Sequence, residues 1–162
     1  DLVRSRGLGD VYKRQTDVDW FTARLYAAWV GGRLSTEAEW EYACRAGTKT
    51  AWSFGDDKGR LGEYAWCGVN AGDKVHPIGL KRPNPWGLLD MHGNVSEWCE
   101  SRFVHFGAAV QRGPGRMLRG GSYWSDTDRC RSACRNWNRP GRRDLYVGFR
   151  VVLASAPPAV GG

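Results

Sequence analysis

The sequence predicts a single irregular α+β domain, and three observations lead to that prediction. The chain has 162 residues, which suits one domain that buries about two-thirds of its unfolded surface. Nine tryptophans and 22 glycines combine large aromatic anchors with a backbone rich in turns. Two short helical patterns precede a long stretch without helical period. This order favours helices beside short strands over a helical bundle or a doubly wound sheet.

The first predicted helix spans residues 17–30. Asp19 can accept hydrogen bonds from the first turn, and Gly31-Gly32 ends the helix. Its larger apolar residues recur at helical spacing on one face, which we expect to pack on the core. They are Phe21, Leu25, Ala28 and Trp29.

The second predicted helix begins at a capping box and ends near Ala46. Thr36 and Glu39 have the spacing at which each side chain accepts from the backbone of the other residue. Trp40, Ala43 and Cys44 are expected to face inward. Both helices are predicted to be structural.

The remaining chain predicts turns and short strands. Residues 48–85 are rich in Gly, Asn, Asp and Pro, with a weak helical pattern over 59–64. A variable loop is predicted over 101–115, and strands over 117–119 and 147–153. No apolar run approaches the 18 residues that a membrane span needs.

Both ends of the chain are predicted to lie outside the domain, which is expected to cover residues 16–153. Residues 1–15 share no pattern with that range, and we expect a non-native artefact of sequence assembly or a disordered arm. Residues 154–162 are rich in Ala, Pro and Gly and are expected to form a flexible tail.

The positive charge is concentrated in the last third of the chain. The formal net charge is +7, and residues 111–162 carry ten arginines against three aspartates. Arginine guanidinium groups can stabilise irregular loops by donating several hydrogen bonds to backbone carbonyls, or they can bind an anionic or peptide ligand. No nucleic-acid-binding motif accompanies this charge, so a nucleic-acid partner is not expected.

The five cysteines are Cys44, Cys67, Cys99, Cys130 and Cys134. Because their number is odd, at least one cysteine stays a free thiol unless it forms a disulfide with another chain. No spacing between them gives a CxxC zinc motif. Around Gly93, Asp90 and Glu97 offer carboxylates on a bent loop, as Ca²⁺ requires, although a turn followed by a strand explains the same residues. His92 is expected to be a hydrogen-bonding loop residue.

Three segments in order resemble the formylglycine-generating enzyme family, also called the sulfatase-modifying factor domain. They are Gly32–Ala43, Asn84–Cys99, and Leu118–Ser122 with Gly148–Arg150. The resemblance covers about residues 17–153 and implies a variant of the C-type lectin fold. It implies two helices packed on short antiparallel strands with long loops, truncated at the amino terminus. It also implies structural Ca²⁺ held by the side chains of Asp90 and Glu97 and the carbonyls of Gly93 and Val95.

The resemblance implies one enzymatic possibility and one binding possibility. Family enzymes convert a sulfatase cysteine to formylglycine, using O₂ and Cu(I) held by two thiolates, and soft Cu(I) suits such ligands. The catalytic region would be Ser122, Ser125, Cys130 and Cys134, but Ser125 stands where the first catalytic cysteine is expected and no cysteine matches the second. Copper-dependent oxidation of a sulfatase cysteine, or the reaction of a related family oxidoreductase, is therefore the alternative prediction.

The favoured prediction is a domain that binds a protein or peptide ligand. Variable proteins of diversity-generating retroelements keep a similar scaffold and diversify the residues between its segments for binding. The similar segments here are Arg119–Tyr123, Cys130–Ala133, Arg135-Asn136, Pro140 and Gly148–Arg150. Tyr, Trp, Ser and Arg suit an adaptable binding surface. The candidate ligand-binding residues are Tyr123, Trp124, Ser125, Asp126, Thr127, Trp137, Arg139, Asp144, Leu145 and Tyr146.

Overall fold

The computed structural model describes residues 16–104 and 112–153. Three α-helices span Trp20–Trp29 (α1), Glu37–Arg45 (α2) and Leu61–Tyr64 (α3), and 3₁₀ turns span Lys58–Arg60 and Asp128–Cys130. The eight described strands are Gly32–Leu34 (β1), Ala65–Trp66 (β2), His92–Gly93 (β3), Ser96–Val104 (β4), Arg112–Arg119 (β5), Asn136–Asn138 (β6), Val147–Phe149 (β7) and Val151–Leu153 (β8). The proposed arm, the proposed tail and residues 105–111 lie outside the described residues.

The main sheet has the strand order β6-β5-β4-β7. Strands β4, β5 and β6 are antiparallel neighbours, whereas β7 runs parallel to β4. Two smaller pairs complete the described strands: β1 with β8, which is antiparallel, and β2 with β3, which is parallel. The predicted α+β fold with short antiparallel strands is confirmed, and two parallel pairings, β4 with β7 and β2 with β3, accompany the antiparallel ones.

Helix α1 buries a different face from the predicted one. Asp19 caps it by accepting from Thr22 N at 2.8 Å, as expected. Its buried residues are Trp20, Ala23 and Ala27, whereas the predicted inward residues Phe21, Leu25, Ala28 and Trp29 are exposed. The alanines let the helix lie close to β4, and the Trp20 indole donates to the Cys99 carbonyl at 2.9 Å. Close approach and this buried hydrogen bond decide the face.

Helix α2 follows its local sequence signals. The capping box is present, with Thr36 Oγ1 accepting from Glu39 N and Glu39 accepting from Thr36 N. Its predicted inward residues Trp40, Ala43 and Cys44 are buried in a core cluster with Met91, Cys99 and Met117. Ala46 ends the helix in a left-handed conformation with φ 48°.

Two strand predictions need correction. The predicted single strand over 147–153 is two strands in different sheets, because the chain turns at Arg150 so that its guanidinium reaches the buried Glu97. Parts of the predicted loop over 101–115 belong to β4 and β5, whose pairing extends to Val104 and Arg112. The backbone hydrogen bonds of this hairpin outweigh its turn-forming composition. The weakly predicted helix near 59–64 is present as a 3₁₀ turn followed by α3.

Candidate ligand-binding site

A tight turn after β5 presents the first group of candidate residues. Gly120 and Gly121 adopt left-handed φ values of 93° and 72°, which glycine accommodates without steric cost. Ser122 N donates to Ser125 Oγ and Ser125 N donates to the Ser122 carbonyl, each at 2.9 Å. Tyr123 is buried, and Trp124 projects into solvent with 67% of its surface exposed. The turn therefore holds an exposed indole on a fixed backbone.

Two arginines, the buried Arg119 and the half-buried Arg135, hold the segment at residues 132–135. The Arg119 side chain is fully buried and donates to the carbonyls of Ser132, Ala133 and Cys134 at 2.6–3.1 Å. Arg135 pairs with Glu37 on α2, with Nε 2.5 Å from Oε1. These two arginines therefore stabilise the loops by hydrogen bonds and an ion pair, which is the structural role considered for the arginine-rich segment.

A cavity of about 270 Å³ lies between the turn and the 134–136 segment. It is lined by Ser96, Leu118, Gly121, Ser125, Arg129, Cys134, Arg135 and Asn136. Ser125 was a predicted candidate, whereas Arg129 and Asn136 were not. Asn136 pairs with Leu118 across the sheet, and this pairing joins segments that carry no local signal of a shared site.

The second group of candidates lies on β6 and on the loop before β7. Trp137 stacks on Phe103 and packs over Gly115, where a Cβ atom would lie 2.5 Å from its ring. Asp144 accepts from Asn138 Nδ2 at 2.7 Å, and Leu145 is 64% exposed. The fold presents Trp124, Trp137, Arg139 and Leu145 to solvent, while Tyr146 is half-buried against the core.

The candidate catalytic residues do not form a paired thiol site at the cavity. Cys130 is fully buried behind Gly121, and only Cys134 among the described cysteines lines the cavity. Ser122 and Ser125 supply hydroxyls, which are hard donors that Cu(I) disfavours. Burial also raises the pKa of the Cys134 thiol. These candidate residues do not fit a Cu(I) ion held by two thiolates.

The two carboxylates of the predicted calcium site, Asp90 and Glu97, both interact with Arg150. Asp90 and Glu97 are buried, and Arg150 donates to both oxygens of Glu97 at 3.1 Å. Burial lowers the pKa of Arg150 to about 10, and the charge of Asp90 opposes that shift. Gly93 is required by its φ of 73° and by the Trp66 carbonyl, 2.2 Å from the position of an added Cβ. Oxygen donors suit Ca²⁺, but an ion would share Glu97 with Arg150. Among the described residues, no cluster of three or more His, Cys, Asp or Glu side chains could hold a metal.

His92 is a buried hydrogen-bonding residue beside this loop. Its Nδ1 lies 2.8 Å from the Cys130 carbonyl oxygen, which can only accept, so Nδ1 carries the proton. Its Nε2 then accepts from Ser53 N at 3.2 Å. Burial lowers the pKa of His92 to about 4, so the ring is neutral at physiological pH.

The fold and this surface together define a C-type-lectin-like domain of the kind found in formylglycine-generating enzymes and variable proteins. The family model for the sulfatase-modifying factor enzyme 1-like domain matches residues 13–155, and the chain belongs to that family. No described helix is long and apolar enough to cross a membrane.

Known relatives include active and inactive members. The formylglycine-generating enzyme of Streptomyces coelicolor is 40% identical over 161 residues, covering 83% of this chain and 51% of the relative. The inactive C-alpha-formylglycine-generating enzyme 2 of Bos taurus is 37% identical, covering 87% of this chain and 50% of the relative. The structure of Treponema denticola variable protein 1 matches with 40% identity and a TM-score of 0.68, covering 75% of this chain and 47% of that one. The chain spans about half the length of these relatives.

Proposed function

We propose that this domain binds a protein or peptide ligand through the surface formed by the Ser122–Ser125 turn, β6 and the loop before β7. The exposed Trp124 on its rigid turn carries the proposal. A large aromatic side chain costs free energy when left in water, and its rigid attachment reduces the entropy lost on binding. Tryptophan is also among the residues that most often dominate binding energy.

The charge of the surface indicates the chemistry of the ligand. Between Tyr123 and Tyr146 the chain carries six arginines and three aspartates. Each aspartate contacts an arginine: Asp126 with Arg129, Asp128 with Arg131, and Asp144 with Arg142. Arg135 pairs with Glu37 and Arg143 pairs with Asp19, whereas the exposed Arg139 adds positive charge to the surface. This charge favours a peptide with acidic and apolar residues, and such binding weakens in salt.

Selection of peptides on the intact protein tests this proposal. A phage-displayed random peptide library is selected on immobilised protein, and affinities of enriched peptides are measured by fluorescence anisotropy. Trp124→Ala is expected to weaken binding about tenfold or more. Trp29→Ala is the matched control, because Trp29 is equally exposed but lies on α1. Peptides whose affinity is unchanged by Trp124→Ala would place binding elsewhere and overturn the proposal.

Copper-dependent oxidation of a sulfatase cysteine is the competing function. The cavity lining argues against it, because one thiol and two hydroxyls replace a pair of thiolates. Stoichiometric Cu(I) uptake together with turnover of a cysteine-containing sulfatase peptide would establish the oxidase and reject a purely binding role.

Diversification of the surface is a further part of the proposal, and it is tested in the gene. Similarity to a variable protein over three-quarters of the chain supports it. The expected result is an adenine-rich near-copy of the region encoding 123–146, with a reverse transcriptase gene nearby. A complete contig without either would argue for a fixed binding surface.

A further inference from the structure

Two cysteines that are distant in the chain meet in one core cluster. Cys67 and Cys130 are both fully buried beside Trp52, Leu61 and Ala65. Their thiols form a hydrogen bond, which lowers the pKa of the Cys67 thiol. The same hydrogen bond and then burial raise the pKa of the Cys130 thiol. The pair thus combines a thiol that ionises readily with one that remains protonated.

The backbone fixes both members of this pair. Cys67 N donates to Asn70 Oδ1 at 2.8 Å, and Gly68 N donates to the Ser125 carbonyl at 2.9 Å. On the other side, His92 holds the Cys130 carbonyl, and a Cβ atom at Gly121 would lie 2.8 Å from Cys130 Sγ. Both backbones are held and both side chains lie in one buried cluster, so we expect bonding of the two sulfurs to need little rearrangement.

We propose that Cys67 and Cys130 form a thiol–disulfide exchange site that reacts with a small disulfide such as oxidised glutathione. The product is an intramolecular disulfide that covalently links the turn beginning at Cys67 to the segment that carries the binding surface. This site is independent of the proposed ligand and of Cu(I) chemistry.

The reaction proceeds in two balanced exchanges. The Cys67 thiolate attacks one sulfur of glutathione disulfide, whose S–S bond breaks and releases one glutathione thiolate. Cys130 then loses its proton to solvent and attacks the Cys67 sulfur of the mixed disulfide, which expels the second glutathione thiolate. Two protein thiols are oxidised and one small disulfide is reduced to two thiols. Reagent reaches Cys67 when its turn opens at the exposed Gly68 and Val69.

The other thiols are poorer attacking groups than Cys67 in the first exchange, and none of them belongs to the buried cluster that holds Cys67 and Cys130. Cys44 and Cys99 hydrogen-bond to the carbonyls of Met91 and Glu97, and burial raises the pKa of each to about 12. Cys134 lies four residues after Cys130 and is the main competitor, but burial raises the pKa of its thiol. A low thiolate fraction slows attack on a disulfide.

Peptide mapping of the full chain tests the site. Reduced protein is equilibrated with defined ratios of reduced and oxidised glutathione, blocked with N-ethylmaleimide in denaturant and digested. We expect two of the five thiols to escape blocking, a linked peptide pair containing Cys67 and Cys130, and a higher melting temperature than that of the reduced protein. Dithiothreitol should reverse all three changes.

Variants make the result specific. Cys134→Ser should retain the linked pair, whereas Cys67→Ser and Cys67→Ala should lose it. If either Cys67 variant fails to fold, the peptide map of the wild-type protein still tests the proposal by itself. A Cys130–Cys134 link would overturn the proposal. So would a glutathione adduct on Cys67 that never closes, or five blockable thiols in oxidised protein that circular dichroism shows to be folded.

Discussion

Arg119 and Glu41 form an ion pair between β5 and α2, with the buried Arg119 Nη2 2.5 Å from Oε2 of the half-buried Glu41. The same guanidinium holds the Ser132–Cys134 carbonyls, so one side chain positions both the helix and one wall of the cavity. A planar fork with several donors can satisfy these acceptors together, and a lysine ammonium has a different geometry.

Arg119→Lys is therefore expected to destabilise the fold by about 3 kcal/mol, because it leaves buried acceptors without donors. Urea denaturation followed by tryptophan fluorescence measures the loss. Glu63→Gln, which alters a solvent-exposed carboxylate paired with Arg60 and Arg82, is the control and should have a much smaller effect. Equal losses of unfolding free energy in the two variants would show that the hydrogen-bond network of Arg119 stabilises the fold no more than an exposed ion pair does.

Gly121→Ala should destabilise the turn that presents Trp124. Its Cβ would meet Cys130 Sγ at 2.8 Å and the Arg129 carbonyl at 2.9 Å, and its φ of 72° adds strain. We expect a loss of about 2–4 kcal/mol in the free energy of unfolding. Gly47→Ala has a similar φ of 89° with open space around it, so it should cost only about 1 kcal/mol.

A double mutant separates the two causes at Gly121. Combining Gly121→Ala with Cys130→Ala removes the sulfur that the new methyl group meets, while the strained φ and the Arg129 carbonyl remain. We expect the second substitution to recover part of the loss, as a favourable coupling in a double-mutant cycle. Strict additivity would assign the whole cost to backbone conformation.

Stability is expected to fall as the pH decreases from about 6.5 to about 4. Burial lowers the pKa of His92 from 6.5 to about 4, so the unfolded state takes up its proton first. The neutral ring therefore stabilises the fold fully above pH 6.5, and this contribution is lost as the pH approaches 4. Its full size is on the order of 3 kcal/mol.

The pH slope, rather than the absolute stability, assigns this effect to His92. Unfolding free energies from urea titrations across this range should vary less in His92→Gln than in the wild type. Glu39→Gln serves as a control, because Arg33 lowers the pKa of Glu39 from 4.5 to about 2 and its contribution is lost only below pH 4.5. An unchanged slope in His92→Gln would reject the assignment.

Local signals were sufficient for some elements of the fold but not for others. The capping box at Thr36 and the cap at Asp19 involve residues three positions apart, and both are present. The face of α1 depends on Trp20 reaching Cys99 and on alanines meeting β4, which no helical period reveals. The larger apolar residues Phe21, Leu25 and Trp29 misled the prediction because size does not determine which face approaches a sheet.

In the candidate site, too, some features follow from the local sequence and others depend on long-range contacts. Exposure of Trp124 follows from a short turn whose glycines are visible in the sequence. The contact of Cys67 with Cys130 depends on bringing α3 and β2 against the 3₁₀ turn at Asp128–Cys130, and spacing alone cannot indicate it. An odd number of cysteines showed only that at least one thiol lacks an intrachain partner. Asn136 reaches the cavity through its strand pairing with Leu118, and Arg129 reaches it from the 3₁₀ turn at Asp128–Cys130; the irregular sequence pattern indicates neither.

Asp90 belongs to the segment for which we propose a calcium site, and its backbone and carboxylate are both restrained. Asp90 holds a left-handed φ of 56° and accepts from Gly79 N at 2.9 Å. A Ca²⁺ ion bound by Asp90, Glu97 and the carbonyls of Gly93 and Val95 would bind only the folded state. Mass action then predicts that the melting temperature rises with Ca²⁺ concentration and falls on addition of EGTA.

Asp90→Asn identifies the site, because the amide keeps an oxygen for Gly79 N but removes the charge that attracts the ion. Its melting temperature should respond little to Ca²⁺, while Asp56→Asn, which changes an exposed aspartate outside the site, should respond as the wild type does. Mg²⁺ should stabilise less, since it requires a smaller octahedral shell and releases water reluctantly. A wild-type melting temperature unmoved by Ca²⁺ or EGTA would mean that Arg150 alone neutralises Glu97, because its guanidinium already donates to both carboxylate oxygens.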